Sequence, residues 1–307
     1  MIHPHKEYQS LLMNYIKEYT ERCRKRQGLL RESMGEPMGV APWPSSKTKQ
    51  VNMLVDGEHT GKNFVNAFTF NYANDRIAHR KKHETFDEYR LYNNMLSSQP
   101  MAFNLFCPFI QMLQEGKEEL VSTVFRAVFP SMGIKVVTEV TLEFLPDDIE
   151  NYVNDRTAMD VIVRYTDTDN LPSFIAIETK YTDVLGTNGA SEHSRHKEWI
   201  KKLGMFNEQA ERELISGEKP IVQIYRNFLL TESYGKETGA HCYYSVVLAP
   251  AQHPTTAEEV ASLQRELKPE YRYKISAVTL ECFVETALSY CTGNDAAPFV
   301  YFKDRYL

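Results

Sequence analysis

The 307-residue chain has no apolar run approaching the ~20 residues that a membrane-spanning helix needs. Its first ten residues, MIHPHKEYQS, have no apolar segment of the kind a secretory signal carries. Its five cysteines (Cys23, Cys107, Cys242, Cys282 and Cys291) are scattered and odd in number, with no Cys-x-x-Cys spacing. That pattern fits a reducing compartment and no zinc cage. With 42% hydrophobic, 12% aromatic and 25% charged residues, the composition excludes collagen-like, disulfide-scaffold and wholly disordered classes. The expectation is a cytoplasmic protein with no membrane partner, long enough for one large domain or two modest ones.

A surplus of positive charge is also missing. Thirty-five basic against 41 acidic residues give a net charge of −6, which argues against a basic nucleic-acid coat protein. The charge is segregated, however. Residues 139–160 hold seven acids and one base, whereas residues 195–202 hold Arg195, Lys197, Lys201 and Lys202 against Glu198. An acidic pocket beside basic walls suits a metal-dependent enzyme acting on a polyanion, and chance surface segregation gives the same numbers.

The chain opens with a helical stripe (Leu11, Leu12, Tyr15, Ile16, Tyr19) whose far end is basic, followed by a Gly- and Pro-rich stretch at 33–48. Residues 1–48 therefore read as an N-terminal helix and linker, and 49–307 as a single domain with its catalytic core at about 95–290. A short helix is expected near 86–96. Two more are expected over 101–129, separated at Glu115–Gly116, with Ser97 or Ser98 as N-cap. At 134–145 the period changes to two, with Val140, Leu142 and Phe144 on one face and Glu139, Thr141 and Glu143 on the other. Further strands are expected at 158–165, 173–181 and 242–249. Helices are expected at 195–216, at 220–230 with Pro220 in its first turn, and at 256–267. A short strand plus helix over 273–290 ends the series. The order is that of an α/β or α+β fold without internal repeats.

The chemistry concentrates in 156–181. Strands 158–165 and 173–181 are apolar nearly throughout, as covered central strands are, so Asp160 and Glu178 would be costly there unless paired or bound to a cation. Glu178 and Lys180 are two residues apart and leave the strand on one face. The intervening TDTDNLP reads as a hairpin turn. A turn centred on Asp169 sets Asp160 opposite Glu178, and a slip of one residue would undo this. Two carboxylates and an ammonium on one face suit phosphodiester hydrolysis with Mg²⁺. A salt-bridged cluster without catalysis has the same spacing.

Asp160, followed by the strand ending Ile177-Glu178-Thr179-Lys180, resembles the signature of the PD-(D/E)XK nuclease superfamily, the restriction-endonuclease-like fold. The wording SSQPMAFNLF, RTAMD, IETKYTD and QIYRN is similar to one bacterial family of restriction-type endonucleases within it. That likeness covers roughly residues 95–250. Met159 stands where the name-giving proline would be, and the insertion 183–218 exceeds the minimal fold. The resemblance implies a mixed central sheet flanked by helices. It also implies a Mg²⁺-dependent endodeoxyribonuclease, with Mn²⁺ as substitute, that leaves 5′-phosphate ends. Asp160 and Glu178 would be metal ligands, with Glu143 preferred over Glu139 and Glu119 as a further acid. Lys180 would be the catalytic lysine, and Gln223, on the following helix, would line the site. Arg226 and Asn227, one turn on, and the basic Arg195 and Lys197 are candidates for contacting DNA. A cutter of palindromes would be a homodimer. The competing expectation is a catalytically silent DNA-binding or assembly protein of the same fold, and an unrelated two-carboxylate hydrolase is a third. Three decoys are set aside. HRKKH (79–83) lacks the glutamate of a zinc-protease helix, GEHTGK (57–62) is one residue short of a P-loop, and the pair His193 and His196 is similarly weak.

Overall fold

The computed structural model describes residues 4–41, 48–84, 86–184 and 194–307, without the side chains of 4–9. Part of the expected linker (42–47) and part of the insertion (185–193) lie outside the described residues.

The helices are α1 (Pro4–Ser33), α2 (Gly57–Thr60), α3 (Ala67–Ala78), α4 (Glu88–Asn93), α5 (Ser98–Gln114) and α6 (Glu118–Val128), followed by α7 (Ser194–Leu203), α8 (Glu208–Ser216), α9 (Gln223–Thr238), α10 (Thr256–Glu266), α11 (Leu280–Tyr290) and α12 (Ala297–Tyr306). The strands are β1 (Ile134–Phe144), β2 (Met159–Asp167), β3 (Pro172–Thr179), β4 (Tyr243–Ala249) and β5 (Ile275–Thr279). They form one mixed sheet in the order β1-β2-β3-β4-β5. The first three strands are an antiparallel meander, and β4 and β5 join in parallel after helical crossovers. This is an α/β fold with helices on both faces and an N-terminal helical extension. No helix among the described residues is long and apolar enough to cross a membrane.

Period-two alternation sorts the core into two layers. Val161, Val163 and Tyr165 of β2 pack with the Phe-rich faces of α5, α6, α11 and α12, including Phe106, Phe109, Phe125, Phe283 and Phe299. Ile162, with Phe174 and Ala176 of β3, faces α7–α10 instead, against Trp199, Leu214, Phe228 and Leu263. Ile221, just before α9, and Ile224, Tyr225 and Phe228 of α9 are buried in this second layer.

The hairpin between β2 and β3 is built by its own turn chemistry. Asp167 Oδ1 accepts from the Asp169 and Leu171 amides at 2.9 and 3.0 Å, and Asn170 takes a left-handed φ of 65°. The register Val161↔Ile177 through Thr166↔Pro172 is therefore the one centred on Asp169.

Several boundaries differ from the sequence pattern. Residues 194–216 form two helices because the chain turns at Gly204, φ 60°. Pro220 lies before α9, not in its first turn. Its carbonyl accepts the Val222 amide, and Val222 is the N-cap. The helix then runs past residue 230 to Gly239, whose φ of 68° caps it. Helix α1 is fastened to the core by polar contacts that its apolar stripe did not foretell. Gln27 is fully buried, and its Nε2 donates to Tyr181 Oη (3.1 Å) and the Arg305 carbonyl (3.0 Å). The Tyr19 hydroxyl donates to the Tyr181 carbonyl at 2.9 Å.

Candidate functional site

The β2–β3 register, carried one step beyond Val161↔Ile177, sets Asp160 beside Glu178. The β1–β2 register, between Leu142↔Val161 and Phe144↔Met159, brings Glu143 alongside Asp160. Three carboxylates from three adjacent strands thus meet at one end of the sheet. Lys180 follows just past β3, where its backbone amide still donates to the Leu248 carbonyl at 2.8 Å.

Each carboxylate is held by named partners. Asp160 Oδ2 accepts from the Thr179 amide (2.7 Å) and the Thr179 hydroxyl (2.9 Å), and Oδ1 takes no hydrogen bond among the described residues. Glu178 is buried. Its Oε1 meets Lys180 Nζ at 2.7 Å and Gln223 Nε2 at 2.8 Å, and its Oε2 accepts from Asn227 Nδ2 at 2.7 Å. Lys180, equally buried, also donates to Gln223 Oε1 at 3.2 Å. Gln223 opens α9 and Asn227 follows four residues later, so one helical face addresses the glutamate twice. Glu143 takes a left-handed φ of 51°, a strained conformation for a non-glycine residue. It is pinned there by Arg76, which donates to the Leu142 and Glu143 carbonyls at 3.2 and 3.0 Å, and by Gln99 Nε2 on Glu143 Oε1 at 3.1 Å.

The electrostatics follow from this crowding. Burial, then the charge of Glu178, pushes Asp160 above the ordinary carboxylate range against the pull of Lys180 and Thr179. Burial, then Asp160 and Glu178, pushes Glu143 up as well. Burial opposes the charge on Lys180, but Glu178 and Asp160 outweigh it, so the ammonium holds its proton more tightly than usual. Ionising all three acids would put more negative charge in the pocket than one lysine neutralises, and this is what holds protons on Asp160 and Glu143.

The other candidates separate. Asn227 reaches the cluster, but Arg226 turns to Asp155, with Nε 2.8 Å from Oδ2, where His196 Nε2 also sits at 2.8 Å. Arg195 is engaged by Glu198 (2.6 Å) and the Glu150 carbonyl (2.7 Å), and Lys197 is half-buried on the same helix. Glu139 pairs with Arg164 at 3.1 Å and Glu119 with Arg126, so neither joins the three acids. Sequence reasoning missed Thr179, Gln99 and Arg76. Thr179 lies between the two residues of the motif and Gln99 within SSQPMAFNLF, whereas Arg76 carried no signal.

Hard oxygen donors that need a further positive charge to ionise together, and an unengaged Asp160 oxygen, fit a divalent cation such as Mg²⁺. Two other groups bring three metal-ligating atoms within 4.8 Å of one another among the described residues: Asp167, His241 and Cys242, and the exposed Asp56, Glu58 and His59. Asp160, Glu178 and Glu143 are not that close, because Thr179 on one side and Lys180, Gln223 and Asn227 on the other hold the carboxylates.

No curated protein and no solved structure gives a significant match to this chain. The family model of the PD-(D/E)XK nuclease superfamily matches residues 17–307. That span takes in all five strands, the three acids and Lys180, and the chain belongs to the PD-(D/E)XK nuclease superfamily.

Proposed function

We propose that this protein is a Mg²⁺-dependent endodeoxyribonuclease that hydrolyses DNA phosphodiester bonds. The observation that carries the reading is the meeting of Asp160, Glu178 and Lys180 at one end of β2 and β3, with Gln223 and Asn227 of α9 bonded to the same glutamate. Asp160 and Glu178, with Glu143 beside them, would hold the ion. When bound, the ion supplies neutralising charge at the phosphate oxygens and makes nearby water more acidic.

The protein's own part is positioning. Thr179 fixes Asp160 through two hydrogen bonds, and Asn227 and Gln223 fix Glu178 through one each. Lys180 keeps its proton on Nζ between Glu178 and Gln223, where it orients water or a phosphate oxygen and offsets charge that develops during hydrolysis. Its buried stem and two partners leave it little freedom to lose on binding. Lys197 and Arg195, on α7, would contact phosphates, which give affinity without sequence choice.

Incubation with supercoiled plasmid and Mg²⁺ or Mn²⁺ should give nicked and linear DNA, and EDTA should abolish it. Absence of cleavage with any divalent ion, together with retained DNA binding, would replace this reading with that of a silent DNA-binding protein.

A further inference from the structure

At the far end of β2 a second set of side chains meets, of different chemistry. Asp167 closes β2, and His241 and Cys242 lead into β4. One ligand atom from each lies within 4.8 Å of the other two. Asp167 follows Asp160 by seven residues of strand, roughly 23 Å at about 3.3 Å per residue. The cluster is therefore separate from the candidate nuclease site.

We propose that Asp167, His241 and Cys242 form a second metal site, suited to a borderline-soft divalent ion such as Zn²⁺. A carboxylate, an imidazole and a thiolate are donors that zinc accepts, whereas Mg²⁺ prefers oxygen alone. Bond lengths of about 2.3 Å to sulfur and about 2.0 Å to nitrogen set two tetrahedral ligands roughly 3.5 Å apart. Cys242 Sγ and His241 Nδ1 are 3.8 Å apart. His241 Nδ1 and Asp167 Oδ2, now in direct hydrogen bond at 2.6 Å, would open to about 3.3 Å around a shared ion. The imidazole has room for that shift, since its side chain is 42% exposed.

The backbone beneath these ligands is already fixed. The His241 amide donates to the Pro172 carbonyl (2.8 Å) and the Cys242 amide to Ser173 Oγ (3.0 Å). The Phe174 amide donates to the Cys242 carbonyl at 3.0 Å, and Asp167 Oδ1 is tied to the turn amides. A set of ligands on ordered backbone loses little freedom when it binds. On binding, the Cys242 thiol proton leaves to solvent and the imidazole proton moves to Nε2. The ion would staple the β2–β3 turn to the segment joining α9 to β4, at the end of α9 opposite Gln223 and Asn227.

Cobalt(II) is the probe, titrated into the full chain with Mg²⁺ in excess to occupy oxygen-only sites. A thiolate-to-cobalt charge-transfer band should rise and saturate at one equivalent, and Zn²⁺ should remove it. Cys242→Ser should abolish the band, His241→Ala should weaken cobalt binding at least tenfold, and Asp160→Asn should leave both unchanged. Zn²⁺ should also raise the melting temperature of the wild type but not of Cys242→Ser. No band in the wild type, or a band that persists in Cys242→Ser, overturns the proposal. If Cys242→Ser does not fold, undiminished cobalt affinity in His241→Ala overturns it equally. None of these readouts uses cleavage, so they stand or fall apart from the nuclease reading.

Discussion

Glu232 of α9 offers a test of the fold's electrostatics away from the candidate site. It is 1% exposed. Its Oε1 has no hydrogen-bond partner among the described residues, and its Oε2 has only Lys274 Nζ, at 3.6 Å. Burial outweighs the lysine and pushes the carboxyl from 4.5 up to about 7. Because the folded state binds this proton more tightly, its contribution to stability is complete below the unfolded value near 4.5. It is lost as pH rises toward 7. The gap of 2.5 between those two values corresponds to about 3 kcal/mol as an upper figure. Glu232→Gln keeps the shape and removes the titration. Its stability should match the wild type near pH 4.5–5 and exceed it by up to about 3 kcal/mol at pH 8, or roughly 5 °C for a chain of this length. Thermal melts of both proteins at half-unit steps from pH 5 to 8 give the difference curve directly, since shared carboxylates cancel. Parallel curves across that window would show that Glu232 is charged or solvated in the folded state, and the burial argument would be wrong.

Five further substitutions have expected outcomes. Lys180→Ala should retain Mg²⁺ binding by calorimetry and lower the cleavage rate by on the order of 10²–10⁴-fold, whereas Asp160→Asn should weaken metal binding and cleavage together. Thr179→Val removes the hydroxyl bond to Asp160 but keeps the amide bond. Worth roughly 1 kcal/mol, this should slow single-turnover cleavage several-fold, and an unchanged rate would refute a positioning role. Arg305→Met would strand Gln27 Oε1 and Asn63 Oδ1 as acceptors in the core, while the Asn63 carbonyl would keep Asn104 Nδ2. It should cost on the order of 3 kcal/mol or more, read from the urea midpoint. Gly235→Ala would drive a methyl group into the Tyr243 ring, costing about 1–3 kcal/mol in the same assay.

The parts of the site that were legible in the sequence are those governed by local rules. The hairpin register followed from the chemistry of the 167–170 turn and from period-two alternation, which together set Asp160 beside Glu178. Gln223 and Asn227 were legible as i and i+4 on an amphipathic helix. What was not legible depends on contacts distant in sequence. Arg226 reads as a free base on the site's side of α9, but Asp155, 71 residues earlier, draws it away. Arg76 holds Glu143 from a helix that no motif marks, Gln99 sits in SSQPMAFNLF with nothing local to aim it at Glu143, and a left-handed φ inside a strand has no signature when the residue is not glycine. Gln27 fastens α1 across 154 residues to Tyr181, a contact that a reading of α1 as an apolar stripe passes over.

These distant contacts converge on one stretch of chain, residues 178–181. Glu178 is gripped from α9, Thr179 is bonded to Asp160 of β2, and the Lys180 amide extends the pairing with β4. Tyr181 is held at both its carbonyl and its hydroxyl by α1. Every residue of the motif is thus fixed by a different element, and none by the strand alone. A buried lysine beside a buried glutamate is costly to desolvate, and replacing such a pair with apolar side chains is often neutral or stabilising. The expense here is compounded by two more acids and a strained backbone at Glu143. A core selected for stability alone would relieve that strain. Its persistence under Arg76 and Gln99, beside a stretch braced from four elements, is what the proposed cation and phosphate site would require.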